Sequence, residues 1–183
     1  GDATQLTDGQ YTEGRFWVQQ STVGWMHTSA GRVVITIDLG DVQTIGGFSL
    51  NSAAGNSGVY WPSHIHVLVS DDGSHYRAVG DLVQASPPPP GEYAVHRYQL
   101  SNITARGRYV TCVIIPNGVF AFVDEIEVLA GAGEPPARDT IDDLDAYFDS
   151  IRIHAAVQHR LRADLADVRT AAAGRPALLN KLD

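Results

Sequence analysis

Through the first 130 residues, apolar side chains recur at every second place. From 32 to 39, Val33, Ile35 and Ile37 share one face until Gly40. That is the period of a half-buried strand. A second run, 42–50, is interrupted at Gly46-Gly47, and a third, 63–70, sets Ile65, Val67 and Val69 against His64, His66 and Leu68. Asp71-Asp72-Gly73-Ser74 supplies a hairpin turn into 76–83. Pro87 to Pro90 is stiff and extended and serves only as a connection. Runs at 93–100, 107–115 and 122–129 complete the set. Short strands at this spacing predict an all-β jelly-roll β-sandwich of about eight strands.

The pattern changes after Gly131, Gly133, Pro135 and Pro136. From Ile141 the apolar residues Leu144, Phe148, Ile151, Ala155, Leu161, Leu165, Val168 and Ala172 fall at about the helical period. Thr140 and Asp143 make a capping box, and Gly174 with Pro176 ends the helix. The chain therefore divides into a sandwich, 1–133, and a linker with an α-helical tail, 134–183. Such a stripe needs a partner: the sandwich, a second copy, or a neighbouring domain. The tail is expected to be a fragment of a further region.

Composition sharpens this division. Of the 15 aromatics, only Tyr147 and Phe148 lie in the tail. The net charge is −8, and the sandwich holds six arginines, no lysine and twelve acids. That balance argues against nucleic acid and an anionic membrane surface as partners. No apolar run reaches the length of a membrane-spanning helix. Cys112 is the single cysteine, which excludes an internal disulfide and a multi-cysteine zinc site, and its apolar strand makes it an inert core thiol. His64 and His66 form a His-x-His pair that can bind zinc, but no third ligand is evident from the sequence. The aspartates 139, 142, 143, 145 and 149 suit a solvated helix start. Acid, base and nucleophile do not come together as a catalytic set.

Five stretches, in order and at the right spacing, resemble the discoidin, or coagulation factor V/VIII type C, superfamily of galactose-binding-like domains. They are Leu6-Thr7-Asp8-Gly9, Ile35-Thr36-Ile37-Asp38-Leu39-Gly40, Trp61-Pro62 leading into Val67-Leu68-Val69-Ser70-Asp71-Asp72-Gly73, Arg108-Tyr109-Val110, and Val123-Asp124-Glu125-Ile126-Glu127-Val128. They span about residues 5–130. Bacterial members include the family 32 carbohydrate-binding modules, which they also resemble.

The resemblance implies a structural calcium beneath the binding loops. Its ligands would be Asp8, in the loop 5–13, and Glu125, with Thr12 or else Glu13 as a further side chain and carbonyls from Gln5 and Asp124. Calcium takes six to eight oxygens, so backbone carbonyls must complete the shell. It also implies a sugar site on the loops at one end, because aromatic rings pack on sugar C–H faces and amides pair with hydroxyls. Candidates are Trp25 and His27 in the loop 19–29, Asn51, Asn56, Tyr60 and Trp61 in 51–61, and Asn117 and Phe120 in 117–120. Trp25, Tyr60 and Phe120 are expected to line one groove, whereas Trp17 reads as core. Where galactose-binding relatives carry an arginine, this chain reads Leu50-Asn51-Ser52, so galactose specificity does not carry over.

The function expected is a non-catalytic carbohydrate-binding module of a secreted or cell-surface bacterial protein that processes polysaccharide, beside a catalytic domain. The alternative is a structural or protein-interaction domain that docks or self-associates through the helical tail.

Overall fold

The computed structural model describes residues 2–12, 14–26 and 31–135. Glu13, His27 and the predicted helical tail from residue 136 onward lie outside the described residues. The elements in chain order are α1 (Asp2–Gln5), β1 (Val23–Met26), β2 (Val33–Ala54), β3 (His64–Ser70), β4 (Arg77–Asp81), α2 (Leu82–Ala85), β5 (Ala94–Ile115), β6 (Phe120–Val123) and β7 (Glu125–Ala130). Five strands form one sheet in the order β4-β3-β5-β2-β7, and β1 pairs with β6 in a second. Every strand pair in the two sheets is antiparallel. The result is an all-β sandwich, with seven strands among the described residues. None of the described helices is long and apolar enough to cross a membrane.

The two 22-residue strands make the sandwich. Straight, each would run roughly 70 Å at about 3.3 Å per residue, several times the radius of a domain this size. Both therefore bend. The β2–β5 register shifts between Asp38 and Gln43 and again between Ile45 and Gly47. Gly40 (φ 86°) and Asn102 (φ 59°) supply the left-handed backbone near the bends. Beyond them the C-terminal half of β5 carries β3, and the C-terminal half of β2 carries β7. One continuous sheet thus folds over its own core. The sequence runs 32–39 and 42–50 are one bent strand, as are 93–100 and 107–115. The run 122–129 is instead two strands of different sheets, parted at Asp124, and the loop 19–29 contains β1.

The core is what the alternation predicts. Ile65, Val67 and Val69 from β3 meet Val110, Cys112 and Ile114 from β5, with Phe48, Leu50 and Tyr98. The layers touch where a Cβ on Gly80 would come 2.7 Å from Leu100. Burial pushes the Cys112 thiol well above its ordinary value, so it stays an unreactive core group. Residues 48–54 of β2 are buried on both faces. Ser49 and Asn51 there must find partners inside the protein, and those partners lie on β7 and the turn before it.

Candidate functional site

The N-terminal segment is laced to β7. Ile126 N–H donates to the Leu6 carbonyl at 2.7 Å, and the chain turns at Gly9 (φ 77°). Gly9 N–H donates to Glu125 Oε2 at 2.9 Å, and Gln10 N–H to Asp8 Oδ1 at 2.9 Å. Asp124 is fully buried. Its carboxylate accepts Thr12 N–H at 2.5 Å and the Asn51 amide at 3.0 and 3.3 Å. The Thr12 hydroxyl pairs with those of Ser21 (2.8 Å) and Thr22 (3.1 Å), and the Gln5 side-chain amide donates to the Gln20 carbonyl.

These bonds sort the predicted calcium ligands. Asp8 and Glu125 face each other electrically, with no basic side chain paired to either, or to Asp124, among the described residues. Burial pushes the Glu125 carboxyl up. The Gly9 N–H bond opposes this, and the charges of Asp8, Glu127 and Asp124 add to it. Both Asp124 oxygens accept hydrogen bonds, so its side chain anchors the loop. Asp8, Asp124 and Glu125 do not converge as a three-carboxylate cluster. The carboxylates of Asp8 and Glu125 are hard oxygen donors of the kind calcium takes.

The second predicted region holds a real cleft. A cavity of about 440 Å³ opens between β1 and the loop before β6, lined by Trp25, Met26, Pro116, Asn117, Gly118 and Val119 among others. Trp25 is half-buried, while Met26, Asn117 and Val119 are exposed. Tyr60, 60% exposed, stands beside it. A Cβ on Gly118 would come 2.6 Å from the Tyr60 ring, so this glycine is what lets the two loops close up. Asn56 is exposed in the same loop, its carbonyl closing a turn by accepting Val59 N–H at 2.9 Å.

Three expectations are corrected. Trp25 pairs with Ala121 and Met26 with Phe120 across the β1–β6 ladder. By strand alternation Trp25 lies on the face of buried Val23 and Val123, and Phe120 on the opposite face. Phe120 does not line the cleft that holds Trp25. Phe120 instead stacks on Phe122 (6.1 Å), which tilts over Trp17 (5.7 Å), which meets Tyr93 edge-on (5.5 Å). With Tyr60 it borders a crevice of about 10 Å³, room for little more than a water. Asn51 is buried and committed to Asp124, away from the cleft. Trp61 packs edge-on to His96 and Tyr98 against the core. Sequence reasoning passed over Met26 and Val119 as cleft residues. Their signal was an apolar side chain inside a turn-rich loop.

A folded-over antiparallel sheet with its cleft and acidic loop on the connections defines a β-sandwich of the jelly-roll class. The profile of the F5/8 type C domain matches residues 2–126, and the chain belongs to that family. Among solved structures, a chain of the Streptococcus pneumoniae β-galactosidase BgaA matches at 12% identity over 70% of this chain and 87% of that one, with a TM-score of 0.51. CpGH89CBM32-5 from Clostridium perfringens, in complex with GalNAc-β-1,3-galactose, matches at 21% identity and a TM-score of 0.42. That alignment covers 53% of this chain and spans 65% of the other. CpGH89CBM32-6 from the same organism matches at 19% identity over 70% and 84%, with a TM-score of 0.48. No curated protein sequence matches the chain.

Proposed function

We propose that this domain is a non-catalytic carbohydrate-binding module with its sugar site in the cleft between β1 and the 116–119 loop. The observation that carries the reading is the lining. Trp25 contributes part of its ring, Asn117 an amide and Gly118 close backbone approach, and the exposed Tyr60 ring lies against Gly118 next to the cleft. A neutral sugar needs both, an apolar surface for its C–H face and planar donors and acceptors for its hydroxyls. Titratable side chains are missing from the described lining, which suits recognition rather than proton transfer. Calcium held by Asp8, Glu125 and the carbonyls of Gln5 and Asp124 would fix the loop that runs under β7. Carried by a secreted or cell-surface bacterial protein, such a module would raise the effective concentration of a neighbouring catalytic domain at its polysaccharide.

The test is a glycan array with the 183-residue chain, followed by calorimetry on the best binder. Tyr60→Ala and Asn117→Ala sit at exposed positions, and each is expected to weaken binding at least tenfold at unchanged melting temperature. Phe120→Ala, on the other face of the ribbon, should stay within a few-fold of the parent. Failure of the parent chain to bind any glycan, or Tyr60 and Asn117 variants that bind as tightly as the parent, would rule the site out.

A further inference from the structure

The third ligand that the His64-x-His66 pair lacks in the sequence is supplied by the fold. On β3, His64 and His66 alternate with the core residues Ile65 and Val67, so both rings leave the sheet on the same outer face. They stack nearly parallel, 5.1 Å apart at 11°. On the neighbouring strand Asp81 pairs directly with His66 in the β3–β4 ladder. Asp81 Oδ1 is fixed by two backbone donors, Ile65 N–H and Val83 N–H, each at 3.1 Å, the second capping α2. Its other oxygen, Oδ2, is thereby turned to the rings, 2.6 Å from His64 Nδ1 and 3.9 Å from His66 Nδ1. One ligand atom from each of the three residues lies within 4.8 Å of the others, and among the described residues this is the one such group.

We propose that His64, His66 and Asp81 form a binding site for a borderline divalent transition metal such as zinc, with the remaining position open to solvent. Two imidazoles and one carboxylate are a donor set for zinc, copper or nickel, and a poor one for calcium or magnesium. Zinc bonds of about 2.0–2.1 Å in a tetrahedron place ligand atoms roughly 3.3 Å apart. The 2.6 Å contact must open by about 0.7 Å and the 3.9 Å contact close by about 0.6 Å, which small rotations of the two rings supply. The carboxylate needs no such freedom, because its backbone bonds already aim it, the role outer partners play in built metal sites. Asp81 is nearly buried, while the His64 and His66 side chains are 35% and 43% exposed. An ion there would be reachable from solvent, with its free position facing outward. The site is separate from the calcium region, since β4 and β7 are opposite edges of the five-stranded sheet.

The experiment is a zinc titration of the full chain by calorimetry in calcium-saturated buffer, with cobalt absorption as a spectroscopic readout of the ligand set. One equivalent of zinc is expected, a rise in melting temperature, and tetrahedral cobalt bands. His64→Gln and His66→Gln each keep a side chain able to hydrogen-bond Asp81 and are expected to fold. Each should weaken zinc binding at least tenfold, and the double variant should lose it. A parent chain that takes up no zinc at millimolar concentration, or a folded double variant that binds as the parent does, overturns the proposal.

Discussion

Asp124 is the most deeply buried acid among the described residues. It is fully buried, and its partners are one backbone N–H and one amide, from Thr12 and Asn51. A buried carboxylate that loses a donor keeps its desolvation penalty. Asn51→Ala is therefore expected to destabilise the fold by about 2–4 kcal/mol, read from urea denaturation, although position 51 touches neither cleft nor solvent. Asn51→Asp should be worse at neutral pH, because it sets a second charge against Asp124, and should recover partly in acid. A loss under about 0.5 kcal/mol for the alanine variant would mean that Asp124 finds another donor. Asn51 also marks where the sequence misleads. A polar residue just past an apolar run looks like a strand end in a loop. It lies instead in a strand buried on both faces, and its polarity answers an acid 73 positions away.

At the scale of elements, the strands were largely legible, because alternation survives wherever one face is buried. His64 to Ser70 shows this in its burial pattern. What alternation cannot give is continuity. A bulge at Gly46-Gly47 and a break at Gly40 read as turns, yet β2 continues through both and its pairing with β5 resumes beyond each. Nor could it place Trp25, since β1 has four residues and no repeat long enough to show a period. The loop aromatics were found by type and then divided by the ladder, Trp25 to the cleft and Phe120 to the stack. The connection that carries Tyr60 depends on Gly55. Its φ is 123°, and a Cβ there would lie 1.1 Å from the Glu92 carbonyl oxygen and 2.0 Å from its carbon. These are backbone atoms that no rotamer can move. Gly55→Ala is expected to cost at least about 2 kcal/mol from overpacking and strain together. Gly58→Ala, at φ 78° with nothing within 4 Å, meets strain alone, about 1 kcal/mol. Equal midpoints for the two variants in chemical denaturation would refute this account of the turn.

For the whole molecule, the distribution of charge connects folding to the proposed cation. The net charge of −8 is unevenly matched. Arg97 pairs with Glu127, Arg106 with Asp71, and Arg108 with Asp38. Asp38 is accordingly held down at about 2, by Arg108 first and then by the Gly40 N–H bond. Asp8, Asp124 and Glu125 have no basic partner among the described residues, and Glu125 is pushed above its ordinary value of 4.5, chiefly by burial. The direction of that shift fixes the pH response. Without metal, the folded chain holds the Glu125 proton more tightly than the unfolded chain does. This contribution to stability is full below the ordinary value and is lost as pH rises through the raised one. A calcium ion requires the ionised carboxylate, so its binding strengthens as the same window is crossed upward. The melting temperature with calcium minus that with chelator should thus be near zero at about pH 4 and climb to a plateau by neutral pH. Glu125→Gln should abolish the calcium increment and leave the metal-free domain more stable than the parent at neutral pH, because a neutral amide replaces a buried, unpaired charge. A calcium increment that is flat with pH, or that survives in Glu125→Gln, would place any bound cation elsewhere and return Glu125 to a purely structural role.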